Sequence, residues 1–90
     1  MNEPLKTIPL PNGKNAVEWT KREKPSVNHW YLCKYSYTDY WKIMKDYHSP
    51  ETKQTYYKIV EYYNGDIFFC GFTLEQIREI IRQNTYRMVI

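Results

Sequence analysis

Few side chains in this sequence are of the types that perform catalysis or bind metals. The candidates are two cysteines, two histidines and an aspartate that stand far apart in the chain: Cys33, Cys70, His29, His48 and Asp46. Zinc sites usually draw on paired ligands roughly two to four residues apart, and this set lacks that spacing. A Cys–His nucleophilic pair has no spacing to support it either. We therefore expect no catalytic residue, no bound metal and no cofactor.

Two carboxylates, Glu61 and Asp66, flank the Asn64-Gly65 pair. Paired acids can perform general acid and base chemistry, but they need a cleft that holds a substrate, which a small sheet with one helix rarely provides. Turn residues in contact with water are the better interpretation. The three glycines are isolated, so there is no phosphate-binding loop or nucleophile elbow. The sequence indicates a chain that is not an enzyme.

Aromatic residues are the unusual feature of the composition. The 90 residues include ten tyrosines, three tryptophans and three phenylalanines, while the net charge is only +3 and no segment is strongly basic. A tyrosine buries its ring but needs a partner for its hydroxyl, so it favours half-exposed positions and interfaces. This composition favours binding as the function.

The aromatic residues concentrate around a predicted hairpin. Asn64-Gly65 is typical of a two-residue type I′ turn, joining strands at 55–63 and 66–72. An uninterrupted register from that turn pairs Glu61 with Phe68, Ile59 with Cys70 and Tyr57 with Phe72 on one side of the ribbon. The other side then carries Lys58, Val60, Tyr62, Ile67, Phe69 and Gly71.

A helix follows the hairpin directly. Thr73 and Gln76 form a capping box, and an apolar stripe continues through Leu74, Ile77, Ile80 and Ile81. Glu75, Arg78, Glu79 and Arg82 would face water, and Asn84 can end the helix in the left-handed conformation. The tail TYRMVI has strand propensity and would add at an edge of the sheet.

The remaining segments are less regular. Residues 29–37 alternate as a strand does, whereas residues 37–48 fit helical or strand spacing, with strand favoured. The overall prediction is an α+β fold: an antiparallel meander of three to four strands with one C-terminal helix packed on one face. Residues 28–90 would form this single domain. Residues 1–27 would form a proline-containing arm partly packed on it, with a short strand near residues 16–20.

One helix covers only one face of such a sheet, so the second face needs another explanation. The arm, with Ile8 and Trp19, is one candidate cover, another copy of the chain is a second, and a partner molecule is a third. The predicted partner-binding residues are Tyr56, Lys58, Val60, Tyr62, Ile67 and Phe69. Such aromatic, sparsely charged surfaces are enriched at protein interfaces.

We expect a small protein-binding module that acts by occlusion. In overall character the chain resembles accessory proteins of bacteriophages and mobile elements, which implies an inhibitor of a host enzyme or defence complex.

Nucleic-acid binding is the alternative. A three-stranded sheet followed by a helix, with the junction FCGFTLE at 69–75, is similar to AP2-type and integrase N-terminal domains. That resemblance implies a sheet laid in the major groove, with Lys34, Lys42, Lys45 and Lys58 contacting phosphates and bases. Exposed tyrosines would also suit single-strand stacking.

The expected setting is the cytoplasm. Apolar runs are too short for a membrane span, and the N-terminus lacks a signal pattern. Cys33 and Cys70 are expected to be reduced core thiols. A homodimer is left open as a further use of the second face or of an edge strand.

Overall fold

The computed structural model describes residues 7–11, 13–36 and 38–88. Within them the chain forms seven strands and one helix. In chain order these are β1 (Thr7–Pro9), β2 (Asn15–Val17), β3 (Trp30–Cys33), β4 (Tyr40–Ser49), β5 (Gln54–Glu61), β6 (Ile67–Phe72), α1 (Leu74–Asn84) and β7 (Thr85–Met88).

All of the described strands belong to one antiparallel sheet in the order β1-β2-β7-β3-β4-β5-β6. The predicted α+β class is confirmed, and β3 to β6 form the predicted meander. The predicted number of three to four strands is wrong, because the described chain has seven. The additional strands come from the proline-containing arm, which supplies β1 and β2, and from the C-terminal tail, which supplies β7.

The tail lies inside the sheet and not at its edge as predicted. β7 pairs with β3 through Leu32 and Tyr86 on one side, and with β2 through Val17 and Arg87 on the other. The arm provides the second neighbour that turns an edge strand into an interior one. This pairing depends on residues that are far apart in the sequence, so local propensity does not reveal it.

Strand structure is confirmed for the ambiguous segment, since β4 extends over residues 40–49. Tyr37, the first residue of that segment, lies outside the described residues. Trp41 and Ile43 are buried and alternate with more exposed neighbours, which is the period of a half-buried strand. The helical spacing of the aromatic residues was coincidental.

The helix begins as its capping box predicts. Thr73 accepts a hydrogen bond from the Gln76 backbone N–H, and the Gln76 side chain accepts one from the Thr73 N–H. Ile77 and Ile81 are fully buried. The predicted left-handed end is wrong: Thr85 follows in an extended conformation and its N–H bonds to the Ile81 carbonyl, so the helix passes directly into β7.

The arm between β2 and β3 packs beside this helix. Arg82 donates from Nε to the Glu23 carbonyl, and Arg78 donates to the Pro25 carbonyl. Trp19 donates from its indole Nε1 to the Thr85 hydroxyl at 3.1 Å. The two arginines, predicted to face water, are therefore partly covered by the arm.

The main core lies between the helix and one side of the sheet, which we call the helix face. Its buried residues are Cys33, Trp41, Ile43, Ile59, Ile77 and Ile81. Trp19, Tyr57 and Phe72 pack against this cluster from its margins. Of the two arm residues expected to cover the second face, Ile8 and Trp19, Trp19 packs instead on the helix face, so that expectation is wrong for Trp19.

The β5–β6 hairpin departs from the predicted register. Tyr57 pairs with Phe72 as expected, but Ile59 pairs with Phe69 and Val60 with Ile67, with irregularities between these pairs. Gly71 has a positive φ of 76°, a conformation that glycine adopts without steric cost at a bulge.

The turn of this hairpin is also longer than a two-residue type I′ turn. The Glu61 carboxylate accepts hydrogen bonds from the backbone N–H groups of Tyr63 and Asn64, and the Glu61 N–H bonds to the Asp66 carbonyl. A side chain that satisfies two turn donors stabilises the longer connection. Gly65 has a positive φ of 68°, whereas Asn64 does not, so the type I′ prediction is wrong.

Candidate binding face

The side of the sheet opposite the helix face has two parts. At the β1-β2-β7 end it holds a second buried cluster of Leu10, Ala16, Leu32 and Tyr86, against which Ile8 and Tyr40 pack. We call this the covered end. The arm, one of the three candidate covers, therefore does cover part of the second face, and Ile8 contributes to it.

Beyond Tyr40 the same side of the sheet is not covered by the described chain. Nine residues belong to this region, which we call the open face: Trp30, Lys42, Met44, Tyr47, Tyr56, Lys58, Val60, Tyr62 and Ile67. Strand register assigns eight of them, and Tyr62, which follows β5, is assigned by its ring contacts with Trp30 and Tyr40. Tyr47, Tyr62 and Ile67 are each about half exposed, at 50%, 51% and 55%. The described residues span 46 × 38 × 18 Å. The smallest dimension fits one sheet and one helical layer, without a third layer over the open face.

Aromatic rings pack against one another in the middle of the open face. The ring of Tyr62 meets Trp30 edge to face with centroids 5.0 Å apart, and meets Tyr40 at 5.8 Å. Edge-to-face pairs at these distances are favourable beyond the area that they bury. Tyr40 also packs on the covered end, so the aromatic cluster is continuous with a buried core and is held in place by it.

A second aromatic pair lies further along the same face. A register shift at β4 brings Tyr47 opposite Tyr56, and their rings stack with centroids 5.0 Å apart and planes 29° apart. The Tyr56 hydroxyl lies 3.4 Å from that of Thr52 in the β4–β5 turn. Two rings that support each other present a larger and stiffer surface than two independent side chains.

Two lysines share this aromatic surface. The Lys42 ammonium lies over the Trp30 ring, 4.6 Å from its centroid, a cation–π geometry that holds the charge close to the sheet. Lys42 pairs with Val60 across the strands and Met44 pairs with Lys58, so the two lysines are diagonal neighbours. Diagonal neighbours on adjacent strands are about 7–8 Å apart.

Neither of these lysines forms a salt bridge within the described part of the chain. Lys34, at the covered end, differs: it lies 3.7 Å from Glu18 and over the Tyr86 ring. The strands β3 to β6 hold two acidic residues, Asp46 and Glu61. Asp46 accepts a hydrogen bond from Gly71, and Glu61 is on the helix face.

Glu61 and Asp39 form a carboxyl pair at the end of the sheet next to Tyr62. Glu61 is 4% exposed. Burial raises its pKa, but hydrogen bonds from Asn64, Tyr63 and Asp39 outweigh burial and lower the pKa below its ordinary value. Burial and the hydrogen bond to Glu61 raise the pKa of Asp39. As the pH falls, Asp39 therefore takes up a proton before Glu61 does.

Five of the six residues predicted as partner-binding lie together on the open face: Tyr56, Lys58, Val60, Tyr62 and Ile67. The sixth, Phe69, lies on the helix face opposite Ile59 and packs against the core cluster. Predicting Phe69 on the same face as the others was wrong, because bulges in β6 interrupt the alternation of side chains.

The four lysines of the nucleic-acid alternative are not on one surface. Lys42 and Lys58 lie on the open face, whereas Lys34 lies at the covered end, paired with Glu18. Lys45 pairs with Tyr57, which assigns it to the opposite side of the sheet.

Trp30, Tyr47 and Met44 are open-face residues that the prediction missed. The alternation of Trp30 with Tyr31 and of Met44 with Ile43 was visible in the sequence. Joining these strands to Lys58 and Tyr62 required knowledge of the β3–β4 and β4–β5 registers, and neither loop has a strong turn signal. The shift that brings Tyr47 to this face has no local signature.

The cysteines and histidines considered as catalytic or metal-binding residues lie apart from one another. Cys33 is buried and Cys70 is exposed, so the prediction of two core thiols is right only for Cys33; the β6 bulge turns Cys70 outward. His29 and His48 are exposed. Among the described residues no group of three or more histidine, cysteine or acidic side chains is placed to hold a metal ion. No helix in the described chain is long and apolar enough to cross a membrane.

In comparisons with known proteins, no protein-family model, no curated protein and no solved structure matched this chain. The function is therefore inferred from the chemistry of the open face.

Proposed function

We propose that the chain is a small, non-enzymatic protein-binding module that docks its open face on another protein and acts by occluding that protein's surface. One observation carries this proposal: a contiguous set of aromatic and aliphatic side chains on the open face is left uncovered by the described chain. Exposed apolar patches of this kind commonly mark interaction sites.

The composition of the open face supports a protein partner. Tyrosine and tryptophan dominate the energetic centres of protein interfaces, because their rings offer large contact areas at a low cost in rotamer entropy. Trp30 and Tyr62 are already fixed against each other, which reduces the entropy lost on binding further. A broad sheet surface is suited to covering a partner's surface.

The setting in which this module acts is part of the proposal. The resemblance in overall character to accessory proteins of bacteriophages and mobile elements favours a cytoplasmic inhibitor of a host enzyme or defence complex. Occlusion requires only tight docking, so the absence of enzymatic motifs in the sequence fits this role.

Single-strand nucleic-acid binding is the second candidate. The specific observation in its favour is that Lys42 and Lys58 share one face with Trp30, Tyr62 and the Tyr47–Tyr56 pair. Bases would stack on the rings while the ammonium groups contact phosphates. This binding would weaken steeply with salt; no binding of a labelled oligonucleotide at 50 mM salt and micromolar protein concentration would eliminate it.

An affinity pull-down with a face-specific variant tests the protein-binding proposal. The tagged chain and a Tyr62→Ala, Ile67→Ala double variant would be incubated with nuclease-treated lysate of the natural host cells. We expect the same co-purifying protein to be retained by the parent chain and lost by the variant. Phe69 is left intact because truncating a residue that packs on the core would damage the fold.

A matched control makes the result specific. Glu75→Ala and Gln83→Ala change exposed residues on the helix and should leave capture unchanged. Circular dichroism would verify that every variant is folded. Capture that survives the open-face changes would locate the interface elsewhere and contradict the proposal.

A further inference from the structure

The positive charge of the open face indicates which chemical groups its partner should carry. Lys42 and Lys58 are diagonal neighbours, and no described carboxylate is within salt-bridge distance of either. Two adjacent like charges repel each other, and that repulsion is relieved when a negative group binds between or beside them. The chain itself shows this pairing at Lys34, where Glu18 provides the negative group.

The Lys42 charge is also partly fixed before binding. Its ammonium lies over the Trp30 ring, and Trp30 is in turn packed against Tyr62. A cation held next to apolar surface loses water when a partner docks, which strengthens its attraction to an opposite charge. The same partner must also cover the aliphatic side chains Val60 and Ile67.

We propose that the open face binds a peptide segment of its partner that carries carboxylates next to aromatic or aliphatic side chains. This inference rests on the protein-binding function proposed above and adds the chemistry of the partner. The carboxylates contact Lys42 and Lys58, and the apolar side chains pack on Tyr62, Trp30 and the Tyr47–Tyr56 pair.

Charge complementarity argues against a second copy of the chain as the occupant. Two open faces stacked about a two-fold axis would bring Lys42 and Lys58 of one copy against the same positive surface of the other. Asp46 and Glu61, the acidic residues of the adjoining strands, are engaged elsewhere and would not compensate.

A nucleic acid fits less well than an acidic peptide. Platforms for single strands pair their aromatic rings with a positive groove that follows the backbone. Of the four lysines named for this alternative, Lys45 is on the other face and Lys34 is paired with Glu18. Lys42 and Lys58 remain to contact a chain that carries one phosphate per nucleotide.

Selection from a displayed library of random peptides tests this inference without knowledge of the natural partner. The folded full chain would be immobilised, and enriched sequences would be compared with the unselected library. Selected peptides, with oligo(dT) of 12 nucleotides as a second probe, would then be measured against variants by fluorescence anisotropy. We expect aspartate and glutamate to be enriched beside aromatic or aliphatic residues.

Charge-changing variants of the two open-face lysines test whether their positive charge contributes to peptide binding. The Lys42→Glu, Lys58→Glu double variant should bind the selected peptides about tenfold more weakly than the parent chain or weaker still. The Lys42→Gln, Lys58→Gln double variant should also bind them more weakly, but by a smaller factor. Lys45→Glu makes the same change on the opposite side of the sheet and should leave binding unchanged. Circular dichroism would confirm folding, and the glutamine variants keep the test valid if the glutamate variants unfold.

The contradicting outcomes are distinct. Two outcomes would overturn the charge inference and leave the protein-binding function standing. In the first, the Tyr62→Ala variant no longer binds the selected peptides, but these peptides are not enriched in acidic residues. In the second, the Lys42 and Lys58 variants bind the selected peptides as tightly as the parent chain does. No enriched peptides, or enriched peptides indifferent to every open-face change, would count against both. Tighter binding of oligo(dT) than of any peptide, lost in the lysine variants, would replace this inference with nucleic-acid binding.

Discussion

Glu61 fixes the turn of the β5–β6 hairpin, and its carboxylate does so by holding backbone N–H groups. Tyr63 and Asn64 donate to it, and Asp39 contributes a further hydrogen bond. An acid whose pKa is lowered by folding contributes stability above its ordinary pKa, and loses that contribution as the pH falls through the lowered value. The turn next to Tyr62 should therefore loosen in acid.

Asp39 has the opposite dependence on pH. Its pKa is raised by burial and by Glu61, so its contribution is present below its ordinary pKa and is lost as the pH rises through the raised value. Above that value both carboxyls are ionised, and two like charges face each other. Asp39→Asn removes one charge and keeps the acceptor for the Tyr40 N–H while supplying a permanent donor to Glu61.

We expect Asp39→Asn to be more stable than the parent chain at pH 7, with the difference shrinking as the pH is lowered through the range in which Asp39 takes up its proton. Denaturant unfolding at a series of pH values measures this. Asp66→Asn, at an exposed position of the same hairpin, is the control and should change the free energy of unfolding by no more than about 0.5 kcal/mol. Lower stability of the Asp39 variant at pH 7 would show that the two carboxyls do not oppose each other.

At the scale of elements, the bulges of β6 decide which phenylalanines face the core. Phe69 and Phe72 both pack on the helix face, although strict alternation from Phe72 would turn Phe69 to the other side. Phe68 is left 46% exposed beside Trp41. Between these pairs β6 has one residue more, from Phe69 to Phe72, than β5 has from Ile59 to Tyr57. This extra residue allows the arrangement, and Gly71 supplies its backbone geometry.

Gly71 gives a graded test of the bulge. A Cβ atom at this position would meet no atom within 4 Å, so substitutions act through the positive φ alone. Gly71→Ala should lower the free energy of unfolding by about 1 kcal/mol, Gly71→Asn by less and Gly71→Val by more. Cys70→Ala, at the exposed preceding residue, serves as the control. If alanine is tolerated as well as glycine, Gly71 does not adopt this conformation.

Elements with local signals were predictable, and those that depend on distant partners were not. Thr73 and Gln76 define the helix start within four residues, and the Ile77 and Ile81 stripe identifies its buried side. By contrast, Asn64-Gly65 marked the position of a turn but not its length, because the Glu61 side chain stabilises a longer connection. A single register error at this hairpin moved Phe69 to the wrong face, since side chains alternate along a strand.

At the scale of the whole molecule, the two ends of the chain complete the sheet together. β7 lies between β2 and β3, and the Arg87–Glu23 ion pair at 2.6 Å ties the C-terminal strand to the arm. Burial raises the pKa of Glu23, but hydrogen bonds from Thr20 and the charge of Arg87 outweigh burial and lower it. The arm thus covers one end of the second face and one side of the helix.

What the arm leaves uncovered is the open face. The sequence left open whether the arm, another copy of the chain or a partner covers the second face, and it named Tyr56, Lys58, Val60, Tyr62 and Ile67 as members of that face, together with Phe69, which lies on the helix face. It did not predict Trp30, Tyr47 or the fixed position of Lys42, because each joins the face through pairing between strands. Four of the sixteen aromatic residues of the chain lie on the open face, namely Trp30, Tyr47, Tyr56 and Tyr62, and the proposed docking would use them.

Site-specific photo-crosslinking tests most directly whether the open face is the binding surface. A benzophenone side chain would replace Tyr47 or Tyr56 on the open face and, as controls, Lys45 on the opposite side of the sheet or Glu75 on the helix. After irradiation in lysate of the natural host cells, we predict the same covalent adduct from both open-face positions, suppressed by excess unlabelled chain, and none from the controls. Adducts that form at Lys45 or Glu75 but not at Tyr47 and Tyr56 would contradict the proposal.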